Sequence, residues 1–159
     1  MWNKEKSVLL TQFIVRACYV LLAAAVIILP FIFNETGDSV RINMLTTLGK
    51  YVVAPFYVLV PAGYAALICI DKLLINLKKE IVFDVKNVKL LRIISWCCFY
   101  AAVACFTSFI VIAIVENYIL GTALLLIGSG AIFMGLILRV IKNVFEHAIV
   151  IKDENDLTI

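Results

Sequence analysis

Four long apolar runs, almost free of charged residues, most constrain what this chain can fold into. A helix needs about 20 apolar residues to cross the hydrocarbon core of a bilayer, whereas membrane-spanning strands alternate apolar and polar residues. The first run is longer than the apolar core of a signal peptide and no small-residue cleavage site follows it, so we expect a retained span. We predict four transmembrane helices, at about residues 8–33, 51–70, 96–115 and 118–138.

The overall composition agrees with a lipid environment. The chain is 64% hydrophobic and 16% charged, whereas soluble domains average about 45–50% apolar and about 25% charged residues. A soluble domain of 159 residues has too little interior to bury so much apolar surface. No internal repeat or low-complexity linker divides the sequence. Residues 1–159 are therefore predicted to form a single all-α integral membrane domain with four transmembrane helices.

Lysine and arginine are distributed unequally between the two sides of the predicted membrane region. Of the 14, all but two lie on the side that holds both termini and the 71–95 segment, and the exceptions are Arg41 and Lys50 in the opposite loop, 34–50. Short loops rich in Lys and Arg stay in the cytoplasm. We therefore predict cytoplasmic N- and C-termini, a cytoplasmic hairpin at 71–95, and a cytoplasmic helix extension and tail at 139–159.

The stretch IVFDVKNVKLLRIISW, residues 81–96, is basic and amphipathic in an otherwise apolar chain. Asp84 is a good helix N-cap, so a helix is predicted to begin there and continue into the third span. Its cations, Lys86, Lys89 and Arg92, share one face, and the apolar residues around Val88 share another. The cations have two readings that stay open. They fix topology and pair with anionic lipid headgroups, or they form a docking surface for a cytosolic partner.

Two features of the spans bear on packing. Gly121, Gly128 and Gly135 are seven residues apart, nearly two helical turns, so they share a face of the fourth span and predict a close interhelical seam. The facing helix belongs either to the same chain or to a second copy, which leaves a homodimer open. Pro61 and Gly63 predict a kink in the second span. Such a break serves packing or, as in transporters, marks a binding site.

The chain lacks the residue constellations that most enzymes need. His147 is the single histidine, no CxxC is present, and no Asp or Glu lies within the four predicted spans. Its five cysteines fall in apolar runs and read as small buried hydrophobic residues. We therefore expect no enzymatic activity, no catalytic, metal or cofactor site, and no bound cofactor. The net charge is only +3 and the cationic residues lie close to the predicted membrane, so no direct binding of nucleic acid is expected.

Two segments carry a resemblance to a known family. One is VFDVKNVKLLRIISW, residues 82–96, and the other is VFEHAIVIKDENDLTI, residues 144–159. The matching residues are Phe83, Asp84, Asn87, Val88, Lys89, Leu91, Arg92 and Trp96 in the first, and Phe145, Ala148, Lys152, Glu154, Asn155, Asp156, Leu157 and Thr158 in the second. They resemble the signatures of an uncharacterised bacterial family of four-span membrane proteins, the domain-of-unknown-function family twenty-nine seventy-five.

The resemblance implies a multi-pass protein of the bacterial plasma or inner membrane with no assigned biochemical activity. It also implies a partner, since genes of this family often lie beside a small helix-turn-helix regulator. Leu90 departs from the family pattern, in which a second basic residue is usual at that position. This departure weakens an argument for docking that rests on charge alone.

Both signature segments lie on the cytoplasmic side of the predicted topology, so we expect residues 84–92 to contact residues 152–158. Exposed ion pairs are worth only about 0–1 kcal/mol each, so a network or a bound partner would be needed to order the acidic tail. The candidate partner-binding residues are Asp84, Asn87, Lys89, Arg92, Glu154, Asn155 and Asp156.

Two functional hypotheses remain. The first is a membrane sensor or tether that holds a cytosolic regulator through residues 84–95 of the hairpin and the tail. The alternative is a small transporter or a lipid-binding membrane protein, motivated by the Pro61–Gly63 break and the glycine face.

Overall fold

A computed structural model of the protein describes residues 4–33, 40–79, 84–114 and 118–156, and these ranges form four α-helices. All four are long and apolar enough to cross a membrane. Large apolar side chains are exposed on every helix, which a lipid environment accommodates and water does not. The predicted all-helical chain with four membrane-spanning-length helices is confirmed, and the protein is a multi-pass membrane protein. The helices are α1 (Lys4–Phe33), α2 (Val40–Lys78), α3 (Val85–Ile114) and α4 (Tyr118–Asp156).

Two of the helices extend well beyond the predicted spans. α2 begins at Val40, so residues 40–50, predicted as loop, are helical. α4 continues to Asp156, through the helix extension predicted after Leu138 and into residues 153–156 of the predicted tail. The apolar pattern locates the part of a helix that lies in lipid, but it does not mark the helix end. Between Arg139 and Asp156 the sequence has no glycine or proline to stop the helix.

The helices form a row in chain order. Each packs against the next, α3 and α4 most extensively, and in the described part of the chain non-consecutive helices do not approach closely. Neighbouring helices are antiparallel. For example, the Tyr57 hydroxyl of α2 donates to the Val26 carbonyl of α1, and the Asn76 amide near the end of α2 donates to Asn87 at the start of α3.

This antiparallel order brings four helix ends together on one side of the molecule. They are the start of α1, the end of α2, the start of α3 and the end of α4, and we call this side the basic end. It comprises residues 4–16, 71–79, 84–95 and 139–156. All lysines and arginines of the described ranges lie here except Arg41 and Lys50 at the start of α2.

The glycine face of α4 lies against α3 of the same chain. All three glycines are buried. A Cβ built at Gly121 would lie 3.3 Å from Phe109 Cδ2, one at Gly128 3.2 Å from Cys105 Cβ, and one at Gly135 3.3 Å from Cys98 Cβ. Of the two partners left open by the sequence, α3 of the same chain supplies the facing helix. The absence of side chains at these positions lets the two backbones approach closely.

The prolines lie inside helices that continue through them. α2 is helical without interruption from Val40 to Lys78, across Pro55 and Pro61, so the transporter-like break considered at Pro61 is not a gap in the helix. α1 contains Pro30, which lacks the N–H that would bond the carbonyl of Val26. The Tyr57 hydroxyl donates to that carbonyl at 2.7 Å. A side chain of α2 thus supplies the hydrogen bond that Pro30 removes from α1.

Candidate functional site

The basic stretch of the sequence begins with a well-formed helix cap. Asp84 Oδ1 accepts a hydrogen bond from the Lys86 backbone N–H at 2.9 Å, and the Asp84 carbonyl accepts the first backbone hydrogen bond of α3, from Asn87, at 2.9 Å. A side-chain oxygen that accepts from the second helical residue defines an N-cap. The prediction that Asp84 starts this helix is confirmed. Residues 80–83, which hold the predicted elbow before it, lie outside the described residues.

Asn87 joins α3 to α2 instead of facing outward. Its side chain is only 3% exposed, and its Oδ1 accepts a hydrogen bond of 2.6 Å from Asn76 Nδ2 on α2. Buried amides persist where their polar atoms are paired, because an unpaired one carries a large desolvation penalty. We therefore assign Asn87 to the junction between α2 and α3. Lys89 and Arg92 remain on the proposed docking face.

We expect Asn87→Ala to lower the stability of the protein by about 1–3 kcal/mol, because it removes a buried hydrogen bond and leaves a void at the α2–α3 junction. The measurement is thermal unfolding of the full chain in detergent micelles. Asn143→Ala is the matched control, since Asn143 is exposed on α4. Equal, small effects of the two substitutions would contradict the assigned role of Asn87.

The rest of the basic stretch divides into two faces as predicted. The buried face packs on neighbouring helices, and its Ser95 hydroxyl donates to the Gly135 carbonyl of α4 at 2.9 Å. The cations lie on the exposed face. The predicted amphipathic division of α3 is confirmed. The buried residues are Asn87, Val88, Leu91, Ile94 and Ser95, and the exposed cations are Lys86, Lys89 and Arg92.

Arg92 meets an acidic residue of α4, but not one from the predicted tail. Its guanidinium lies 3.4 Å from Glu146, whose other carboxylate oxygen lies 3.0 Å from the Lys142 ammonium. Arg92 and Glu146 are substantially exposed, so their ion pair orients α3 against α4 more than it stabilises the two helices, whereas the Lys142–Glu146 pair lies within α4. The two signature segments therefore meet through Arg92 and Glu146.

The predicted contact between residues 84–92 and 152–158 stays a prediction. Glu154 is exposed in the last turns of α4. Asn155 and Asp156 belong to the same helix, but their side chains lie outside the described part of the structure, as do residues 157–159. The acidic residues thus extend along the α4 axis, beyond the level at which Arg92 contacts Glu146.

An aromatic and basic cluster marks where the basic end begins. The Arg139 guanidinium lies over the rings of Trp96 and Phe99, with its Cζ 5.4 Å and 5.0 Å from their centroids. Trp96 is 60% exposed at the point where the third apolar run starts. Amphipathic aromatic rings and snorkelling cations are typical of the membrane–water interface. This cluster therefore places the interface at the level of Trp96 on α3 and Arg139 on α4.

A groove opens between the end of α2 and the start of α3. It has a volume of ≈ 320 Å³ and lies next to the Asn76–Asn87 hydrogen bond. Three ammonium-bearing side chains, an amide and two aliphatic side chains line it. They are Lys72, Ile75, Asn76, Lys86, Lys89 and Leu90.

Sequence reasoning did not single out Lys72 and Asn76 as site residues. A signal was present, because Lys72, Ile75 and Asn76 are spaced i, i+3 and i+4, as are Lys86, Lys89 and Leu90. What the sequence does not show is that these two faces turn toward each other. Asp71 was also missed, and its Oδ1 is buried with no hydrogen-bond partner among the described residues.

Metal-binding chemistry has no counterpart in the described ranges. They contain no group of three or more His, Cys, Asp or Glu side chains placed to hold a metal ion. The five cysteines are free thiols, with Cys69 and Cys105 buried.

A comparison with protein families supplies the next observation. The family described as Protein of unknown function (DUF2975) matches residues 14–159. The chain belongs to this family. Both segments that carry the resemblance, 82–96 and 144–159, lie inside the match, so the predicted family membership is confirmed. No curated protein and no solved structure matches the chain.

The range matched by the DUF2975 family includes the whole basic end except the first turns of α1. The Asp84 cap, the Asn76–Asn87 junction, the groove and the projecting end of α4 all fall within the matched range. The family description assigns no activity to them.

Proposed function

We propose that the protein is a bacterial plasma-membrane tether or sensor that holds a cytosolic regulator at its basic end. The supporting observation is the length of α4, which has 39 residues, whereas a span needs about 20. The surplus lies beyond the interface marked by Trp96 and Arg139. An ordered projection of this length offers a partner a binding surface outside the membrane.

The two projecting helix ends that carry the proposed docking residues are those of α3 and α4. From Arg139 to Asp156, α4 extends about 25 Å past the interface, and from Trp96 back to Val85, α3 extends about 16 Å. The Arg92–Glu146 pair links them. Such a paired stalk offers a regulator a surface of fixed shape, with Lys89 and Arg92 on α3 and the acidic residues at the end of α4.

The distribution of charge supports a cytoplasmic orientation of the basic end. All but two of the lysines and arginines in the described ranges lie there, which the positive-inside rule associates with the cytoplasm. Both termini then face the cytoplasm, where a regulator is accessible. In this proposal the protein has no enzymatic activity and does not contact nucleic acid itself. Its partner, a helix-turn-helix protein, does so.

The experiment that tests the tether is photo-crosslinking in cells. A photoreactive residue placed at Lys89 and another at Asn155 should capture the same cytosolic DNA-binding protein, identified by mass spectrometry of the adducts. Deletion of residues 152–159 should abolish its capture from Lys89 and its co-purification. A reporter fused after Ile159, active only in the cytoplasm, checks the orientation in the same cells.

The matched control is a probe at Val103, which is 62% exposed in the apolar part of α3 and should capture lipid only. The tether is wrong if the probes at Lys89 and Asn155 also capture only lipid or the chain itself. Capture of one protein at all three positions would likewise contradict a specific docking face.

A second candidate is a lipid-binding membrane protein. The observation that favours it is the groove at the basic end, in which cations and aliphatic side chains line the same space. The notion of a small transporter rested on a helix break at Pro61, but Pro61 lies in an uninterrupted helix. The test of that notion is whether Pro61→Ala changes flux while tail deletion does not.

A further inference from the structure

Three lysines line the groove between α2 and α3. Lys72 enters it from α2, and Lys86 and Lys89 enter it from α3. Among the described residues, the ion pairs Arg92–Glu146 and Lys142–Glu146 form at this end, and neither includes a groove lysine. Three ammonium groups around one space repel each other, so an anion in the groove would lower the energy of this arrangement.

The groove also has apolar walls. Ile75 lies one turn from Lys72 on α2, and Leu90 lies one turn from Lys86 on α3. Water and small inorganic ions gain nothing from aliphatic walls, whereas a molecule with a charged head and a hydrocarbon part contacts both kinds of surface. The composition of the lining therefore selects an amphipathic anion.

The depth of the groove relative to the membrane indicates the source of this anion. Lys72 is two residues, or about 3 Å, beyond Ile70, where the second apolar run ends. Lys89 is about 10 Å from Trp96 along α3. The headgroup layer extends about 5–8 Å beyond each side of the hydrocarbon core, and lysine stems bend toward it. The Lys72 and Lys89 ammonium groups thus lie at, or within reach of, the level of lipid phosphates, with Lys86 almost one turn farther out along α3.

We propose that this groove binds the phosphate headgroup of an anionic phospholipid from the leaflet at the basic end. In this proposal the lysines contact the phosphate, and Ile75 and Leu90 contact the glycerol and the first methylenes. The Asn76–Asn87 hydrogen bond holds the two walls together. The proposal rests on the lipid-binding candidate and not on the tether, and its test needs only the purified protein and lipid.

The test uses the full chain in nanodiscs of phosphatidylcholine and phosphatidylglycerol in equal amounts. Native mass spectrometry after mild extraction gives the ratio of the two lipids retained on the protein. Each cation near a lipid surface contributes about a fivefold change in binding. The triple variant Lys72→Gln, Lys86→Gln, Lys89→Gln is therefore expected to lower the retained ratio of phosphatidylglycerol by about a hundredfold.

The matched control is the triple variant Lys78→Gln, Lys79→Gln, Lys152→Gln. These lysines are exposed at the same end but do not line the groove. Both variants replace three lysines by glutamine, so they change the net charge equally. The control lysines act on the lipid only through the screened field of the surface, so this variant should lose at least about tenfold less than the groove variant. Equal losses in the two triple variants would overturn the proposal, because a diffuse field and not the groove would then attract the lipid.

Two further arms complete the test. Leu90→Lys adds a fourth ammonium to the groove wall and should raise the retained phosphatidylglycerol about fivefold, a gain that misfolding cannot imitate. Excess inorganic phosphate should leave the retained lipid unchanged. Displacement by inorganic phosphate would overturn the lipid assignment and make the groove a site for soluble phosphate. No gain from Leu90→Lys would also count against the groove.

Discussion

Gly128→Leu is expected to lower the stability of the protein by about 3 kcal/mol or more. A Cβ at Gly128 would already lie 3.2 Å from Cys105 Cβ, and that atom is attached to the α3 backbone and cannot rotate away. Leucine adds three more carbons in the same direction, so α3 and α4 must separate. Overpacking a close-packed site costs about 1–3 kcal/mol, and loss of the seam adds to it, because helices in lipid associate through close packing.

The same helix offers a control two residues away. Gly130 has no heavy atom within 4 Å of the position where a Cβ would lie, and it is exposed. Gly130→Leu should leave stability unchanged or raise it slightly, since leucine favours the helix more than glycine does. Thermal unfolding of both variants in micelles gives the comparison. If Gly130→Leu proved the more damaging change, the important seam of α4 would face a second copy and not α3.

The sequence predicted those parts of the structure that depend on local periodicity. The apolar runs located four helices, the spacing of Val88, Leu91 and Ile94 gave the buried face of α3, and Asp84 gave its start. Each of these depends on residues within a few turns of each other. The same holds for the glycine face of α4, although only the structure identifies α3 as its partner.

The parts that escaped prediction depend on which helix faces which. The basic groove needs the end of α2 turned toward the start of α3, and the pairing of Asn76 with Asn87 spans both helices. No single-helix pattern contains that relation. Asn87 shows the consequence, because its polarity suggested an exposed docking residue, whereas its amide lies buried against α2. The arrangement of the helices in a row could not be predicted from the sequence either, since four apolar runs are compatible with many packings.

Tyr57→Phe is expected to destabilise the protein by about 1–3 kcal/mol, because it leaves a backbone carbonyl of α1 without a hydrogen-bond donor. Pro30 leaves the Val26 carbonyl of α1 without its backbone donor, and the Tyr57 hydroxyl supplies the replacement at 2.7 Å. In lipid no water is present to take over when the hydroxyl is removed. The phenylalanine variant would therefore keep the ring packing and lose the hydrogen bond that links α1 to α2.

Tyr100→Phe is the matched control, because it removes a tyrosine hydrogen bond between two helices without leaving a carbonyl unpaired. The Tyr100 hydroxyl donates to the Val58 carbonyl at 3.2 Å, but residue 62 is alanine and keeps the backbone N–H that this carbonyl accepts within α2. Loss of the Tyr100 hydrogen bond should cost less than about 1 kcal/mol, since no carbonyl is left unpaired.

Pro30→Ala restores a backbone donor for the Val26 carbonyl, so adding it to Tyr57→Phe should recover most of the lost stability. Thermal unfolding of these variants, with Pro30→Ala alone for reference, is decisive. Equal melting temperatures for Tyr57→Phe and Tyr100→Phe would mean that Tyr57 does not compensate for the proline.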